Sequence, residues 1–278
     1  MIHEILKYGN VGKVGDMALE VRLKIYETVV VPTIFANIET WGTIKERDIK
    51  ELEGIQYKIM KAMFEQVSTT PYWGLIAETG IWPVKSRIEY KKIMLYHNII
   101  TSDSKRLVKD IVEDQIRSPY KDCWGMSIKD ICEKYQIEMG EIKQYSKQIL
   151  KKLIKTKITK EIVERIEEKK LDMTKLRFTN GTGRKEYIER LKTKEAIMIM
   201  KMRLNMIEVK CNYKSKFTNL NCELCGKEDT TEHLFECKEL ERLKEGTIRI
   251  EDMENPTREM AKYIKRVMEF RKIVCGSS

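Results

Sequence analysis

Glycine and proline are scarce in this chain, 14 and 5 of 278 residues. A β-sandwich or barrel needs frequent Gly/Pro turns between short strands, so an all-β fold is not expected. No stretch of 18 consecutive apolar residues occurs, which argues against a membrane-spanning helix. The opening Met1-Ile-His-Glu-Ile-Leu-Lys7 lacks the apolar centre of a secretion signal. The seven cysteines are odd in number and lack such a signal, so a disulfide framework is not expected. No two aspartates are adjacent, which removes the pair that commonly holds two metal ions for phosphoryl transfer. No H-E-x-x-H, Walker loop or G-x-S-x-G sequence is present. Gly9, Gly12 and Gly15 are spaced three apart, whereas a phosphate-binding G-x-G needs its first two glycines two apart. Residues 1–16 therefore read as a flexible lead-in. No complete active site can be assembled, so no catalytic activity is expected of the chain on its own, and no small-molecule substrate.

What is abundant is charge. Lysine and arginine number 53 against 43 acidic residues, a net charge of +10, and charged residues make up 35% of the chain. With 42% hydrophobic residues the chain has enough apolar surface to fold. The composition predicts a mostly α protein of amphipathic helices whose basic surface meets nucleic acid or another acidic partner.

Apolar periodicity places the helices. Leu23, Tyr26, Val30 and Ile34 share one side of a helix over 18–41, which Pro32 should kink or split. Thr43-Ile-Lys-Glu46 reads as a capping box opening a second helix, with a stripe at Ile49, Leu52, Gln56, Ile59 and Met63. A short helix ends at Gly80, and Pro83 starts another that buries Ile88, Leu95, Tyr96 and Ile99. Ser127 is a candidate cap beyond Gly125. Phe178-Thr-Asn-Gly-Thr-Gly183 reads as a linker, followed by one long helix over 185–207 and, after Pro256, a last helix to about Val274. Four tryptophans, Trp41, Trp73, Trp82 and Trp124, read as core or interface residues, and His97 as packed or exposed without a catalytic role. These elements suggest a helical domain over 17–101, a basic helical linker region over 102–183, and a region over 184–278 containing a small metal-binding knuckle at 211–240.

The knuckle is the most specific motif. Cys222-x2-Cys225-x7-His233-x3-Cys237 supplies four ligands of the softness that zinc prefers. A C-x2-C turn sets two sulfurs on one edge of a tetrahedron, and Gly226 lets the backbone fold over them. His233 and Cys237 lie four apart, on one face of a helix, and form the opposite edge. One structural Zn²⁺ is the expected cofactor, in a closed site with no position for a reactive water. Cys211 lies eleven residues upstream of Cys222 and is a less favoured ligand.

Two basic surfaces are candidates for phosphate contact. Seven lysines between 143 and 160 meet no acidic residue. Lys147, Lys151, Lys152 and Lys155 are the contacts expected there, giving salt-dependent binding without sequence preference. Arg190, Lys194 and Lys201 fall along one stripe bordering the apolar face of the helix before the knuckle and, with Arg203 and with Lys210, Lys214 and Lys216 in the following loop beside Tyr213, form the second. The alternative is a helical protein-interaction scaffold with a structural knuckle, its lysines merely solvating it. A steep salt dependence of nucleic-acid affinity separates the two.

Several blocks resemble the region that follows the polymerase core in LINE-type (non-LTR) retrotransposon reverse transcriptases. Residues 22–64 carry Ile25-Tyr-Glu-Thr-Val-Val-Val-Pro-Thr-Ile-Phe-Ala-Asn-Ile-Glu-Thr-Trp41 and Leu52-Glu-Gly-Ile-Gln-Tyr-Lys-Ile-Met-Lys61, with Pro32, Glu39 and Trp41 in register. Ala36-Asn37 stands where that family usually has Tyr-Gly. Thr70-Pro-Tyr-Trp-Gly-Leu-Ile-Ala-Glu-Thr-Gly-Ile-Trp-Pro83, Ile199-Met-Lys-Met-Arg-Leu-Asn205 and the cysteine cluster around Thr231-Glu-His233 are similar to later blocks in the same order. The family more often spaces its last pair H-x4-C. The resemblance implies a thumb-like bundle, a helical linker and a zinc knuckle that together grip template RNA or target DNA. It also implies catalytic aspartates in a polymerase core before residue 1, and residence in cytoplasm and nucleus.

Overall fold

The computed structural model describes residues 17–102, 107–118, 120, 122–172 and 181–274. The expected lead-in over 1–16, the beginning of the expected linker at 178–180 and Cys275 lie outside them. The described chain is mostly α-helical. Strand pairing among the described residues is confined to two isolated bridges, Thr79 with Arg184 and Asn221 with Glu228. No helix among them is long and apolar enough to cross a membrane.

Packing divides the chain into two compact units, each built from separated segments. One comprises Met1–Tyr26, Met60–Ile81 and Ile166–Ser278; the other comprises Glu27–Ile59 and Trp82–Arg165. These partitions cross the boundaries expected at 101 and 183, because distant segments bury one another's apolar faces.

The first helix, α1 (Leu19–Ile25), runs into a π-helical stretch at Tyr26–Val30 and then α2 (Val31–Ile34). Pro32 lacks an N–H to donate, and the widened turn just before it is where the regular ladder gives way. The helix after it, α3 (Glu46–Met63), starts later than the capping box predicts. Glu46 does not turn back to Thr43; its carboxylate pairs with Lys85. Of the expected stripe, Ile49, Gln56, Ile59 and Met63 are buried, whereas Leu52 is only half-buried. Gln56 can be buried because its amide donates to the Trp82 carbonyl at 3.0 Å.

In the unit containing Glu27–Ile59 and Trp82–Arg165, α5 (Val84–Ile100) packs against α6 (Leu107–Arg117) and α7 (Trp124–Lys134). Ser127 is not the cap of α7, whose N-cap is Cys123; its hydroxyl instead donates to the Trp124 carbonyl and accepts from Lys92. His97 is packed, its Nε2 2.9 Å from the Tyr145 carbonyl. Trp124 donates to the Glu39 carbonyl at 2.6 Å, but Trp41 is exposed rather than core. Lys92 is buried, with its amine 2.7 Å from the Gly42 carbonyl and 2.9 Å from the Ser127 hydroxyl. Burial lowers its pKa to about 8 from an ordinary 10.5, against an opposing pull from Glu89. The unfolded chain therefore binds more protons between about pH 8 and 10.5, so this group's contribution to stability rises with pH across that window. We expect Lys92→Met to remove that rise, measured as the difference between the two proteins' urea midpoints from pH 8 to 10.

In the unit containing the cysteine cluster, α4 (Tyr72–Thr79) ends at Gly80, with φ of 68°. A Cβ there would also lie 2.8 Å from the Arg184 backbone nitrogen, so conformation and close approach both require glycine. The single helix expected over 185–207 is two: α9 (Glu186–Arg190) and α10 (Thr193–Arg203). The chain is extended at Leu191 and Lys192, and the Glu195 carboxylate accepts the Lys192 N–H at 3.2 Å, opening a new helix. At the unit's centre Glu78 is fully buried and accepts from Arg203 Nε at 2.8 Å and the Tyr187 hydroxyl at 2.7 Å. Burial, then the adjacent Glu78 charge, pushes the Tyr187 hydroxyl well above its usual range.

Candidate metal centre and basic surfaces

The knuckle begins where the loop after α10 turns back on itself. Cys222 donates its N–H to the Lys227 carbonyl at 2.6 Å, and the Gly226 N–H returns to the Cys222 carbonyl at 2.8 Å. Gly226 adopts φ of 77°, the left-handed conformation this turn requires. The other pair of ligands comes from a short helix, α11 (His233–Glu236), with Cys237 at its C-terminal cap. Its N-cap is Glu232, and the Thr230 hydroxyl accepts the His233 N–H at 3.1 Å. The ligand atoms of Cys222, Cys225, His233 and Cys237 all lie within 4.8 Å of one another. Cys225 Sγ and His233 Nε2 are 3.1 Å apart. Tetrahedral zinc with Zn–S near 2.3 Å sets its sulfurs about 3.8 Å apart, so the four need only a small contraction to close on an ion.

The electrostatics suit deprotonated sulfur and neutral imidazole. Burial pushes the Cys225 thiol up, but the Lys227 N–H and hydrogen bonds with Cys237 and Cys222 outweigh it and hold the pKa below the ordinary value. Burial raises Cys237 to about 11 and lowers His233, which leaves the imidazole neutral at pH 7. A cation would reverse the balance at Cys237 by stabilising its thiolate. Cys211 is outside the group; its Sγ lies 3.4 Å from a Glu228 carboxylate oxygen.

Residues that the sequence pattern did not single out anchor the knuckle. Asp229 is fully buried and accepts the Lys210 N–H at 2.8 Å and Arg271 at 2.6 Å. This ties the loop between the two ligand pairs to α12 (Arg258–Val274). Tyr263, also on α12, donates to the Leu234 carbonyl at 2.5 Å, and its ring lies 5.8 Å from that of Phe235. Thr231 bonds the Asn205 side chain and accepts from Asn212 at 3.3 Å. Asp229 and Thr230 carry no sequence signal beyond their position between Cys225 and His233, whereas Thr231 and Asn205 fall in the blocks that carry the resemblance.

The basic residues expected around the knuckle separate into different fates. Arg203 is buried, bound to Glu78 and to the Met253 carbonyl, and cannot serve as a phosphate contact. That expectation is corrected: the helix periodicity places Arg203 on the core side, where a buried carboxylate receives it. Arg190 is exposed but donates to the Pro256 carbonyl at 2.7 Å, and the break at Leu191–Lys192 separates it from the stripe it was expected to share with Lys194 and Lys201. Lys201 is half-buried. Lys210 pairs with Glu223 at 2.9 Å and lies over the Phe217 ring. Lys194, Lys214 and Lys216 are exposed and make no ion pair among the described residues, with Lys216 Nζ 5.2 Å from the Tyr213 ring centroid.

The second basic surface is more uniform. The lysine run lies on α8 (Lys147–Asp172). Leu150, Ile154, Ile158 and Ile162, at every fourth position, are buried. Lys147, Lys151, Lys152 and Lys155 are all exposed, and none has an ion pair among the described residues. Gln148, Lys151, Lys152, Lys155, Thr156 and Thr159 line one shallow groove along the outer face of this helix.

No family model matches the chain, and no curated protein or solved structure matches it.

Proposed function

We propose that this chain binds single-stranded nucleic acid through its phosphates, and that a structural zinc held by Cys222, Cys225, His233 and Cys237 folds its knuckle. The observation that carries this reading is the outer face of α8. Three exposed lysines, Lys151, Lys152 and Lys155, share one groove with two threonines and a glutamine, Lys147 is exposed one turn before them, and no carboxylate among the described residues neutralises any of the four. Like charges so close repel one another, and a polyanion relieves that repulsion while releasing its own counterions. For the metal, the three sulfurs and one imidazole favour zinc over calcium or magnesium, which prefer oxygen. Zinc bound there supplies no open position and so acts on folding, not on chemistry. The resemblance to the region beyond the polymerase core of LINE-type reverse transcriptases is consistent with such a role.

A salt titration tests this. Replacing Lys147, Lys151, Lys152 and Lys155 together by Gln should flatten the slope of log affinity against log salt by about 3, at about 0.7 per lost contact on a single strand. An unchanged slope in this variant would assign the lysines to solvation and favour the protein-interaction reading.

A further inference from the structure

A second groove lies within the unit that contains the knuckle, between α10 and α12. Lys194, Glu195 and Met198 line one side, and Lys265, Met268, Glu269 and Lys272 the other, around a cavity of about 200 Å³. The two methionines are half-buried, as is Glu195, while Lys194, Lys265, Glu269 and Lys272 are exposed. The charges are not equivalent. Glu195 is held in place, accepting the Lys192 N–H and lying 4.0 Å from Arg258. Lys265 and Glu269 approach each other at 3.7 Å. Lys194 and Lys272 are exposed with no ion pair among the described residues.

We propose that this groove holds one base of a nucleic-acid strand, its flanking phosphates resting on Lys194 and Lys272. The proposal rests on the nucleic-acid reading above and adds a subsite to it. Three features point to a base. The volume lies below the roughly 300–1,000 Å³ of sites that enclose a whole small molecule, so it suits one flat group of a longer polymer. Methionine thioethers are polarizable and conform to a ring face, whether or not an aromatic partner is present. The Glu195 and Glu269 carboxylates can accept from the amino and imino donors on a base edge. An acidic peptide would instead set its own carboxylates against theirs. The contact is indifferent to most of the sequence, because every base offers a ring face.

The test uses the whole zinc-loaded chain and two labelled oligonucleotides of equal length and charge, one normal and one with abasic positions throughout. The normal strand should bind about tenfold more tightly. Met198→Gln with Met268→Gln keeps charge and near-equal volume, and should erase that tenfold difference while leaving affinity for the abasic strand unchanged. Lys194→Gln with Lys272→Gln should flatten the salt slope for both strands by about 1.4. Equal binding of the two strands by the unaltered chain, or a full difference retained in the methionine variant, overturns the proposal but leaves phosphate binding standing. Polyglutamate binding that is lost in the methionine variant, with no base effect, assigns the groove to an acidic peptide and also overturns it. Failure of both strands to bind removes the nucleic-acid reading itself, and this subsite with it.

Discussion

Cys225→Ser should leave the chain with almost no bound zinc, against one zinc per chain in the unaltered protein, both measured by elemental mass spectrometry without chelator. Ser offers no thiolate at neutral pH, and three remaining ligands cannot complete a closed tetrahedral site. Structural zinc in small knuckles contributes about 10–16 kcal/mol of apparent binding free energy, most of which is spent on folding the loop around it. The loss should not spread evenly. Residues 220–228 are held chiefly by the turn closed by Cys222 and Gly226 and by bonds between Leu220, Asp229 and Cys211. By contrast, α11 keeps its own anchors when the metal is gone, because Tyr263 bonds the Leu234 carbonyl and Lys244 bonds the Phe235 carbonyl at 2.7 Å. Hydrogen exchange should therefore lose protection over 220–228 and keep it at the Phe235 and Cys237 amides, which donate to the Glu232 and His233 carbonyls at 2.9 Å within the anchored turn. Zinc content unchanged by the substitution would refute the ligand assignment. A chelator added to the unaltered chain should reproduce the same pattern, reversed by added zinc.

The second large effect concerns a pair that has no metal. Arg203→Met should destabilise the chain by about 3–5 kcal/mol, because it leaves Glu78 charged and buried with the Tyr187 hydroxyl as its one remaining side-chain partner among the described residues. Side-chain exposures of 2% for Arg203 and 0% for Glu78 mean that water cannot compensate. Glu78→Gln added to Arg203→Met should recover a large part of that loss, since the lone charge is then removed. The readout is the urea midpoint of single and double variants. The same experiment separates two roles for Arg203. An arginine that gripped phosphate would lose affinity at unchanged stability when replaced, whereas a buried structural arginine loses stability first. Loss of affinity with an unchanged midpoint would restore the phosphate role.

The surfaces of the two units illustrate how far periodicity carries. The buried stripe Leu150, Ile154, Ile158 and Ile162 follows from spacing alone, so the exposed face with Lys147, Lys151, Lys152 and Lys155 follows too. Periodicity does not carry across the helix after Arg184. Spacing predicts one stripe for Arg190, Lys194 and Lys201, but Glu195 accepts the Lys192 N–H and a new helix starts at Thr193, beyond Arg190. A local capping competition decides such a break, and a strong apolar pattern conceals it.

Composition and spacing determined what depends on neighbours in the chain. Few glycines and prolines and regular apolar periods dictate helices. Cysteines and a histidine close in sequence dictate a cluster that could hold a metal ion, because a tight turn and one helical turn suffice to bring the four side chains together. What depends on distant neighbours was decided only by tertiary structure. The fully buried Glu78 lies on α4, and its arginine and tyrosine come from residues more than a hundred positions later. Asp229 holds the knuckle to Arg271 across 42 residues. The compact units are likewise stitched from separated segments, such as Met60–Ile81 with Ile166–Ser278. A buried charge must find its partner wherever the fold delivers one, and no local pattern in the sequence announces which residue that will be.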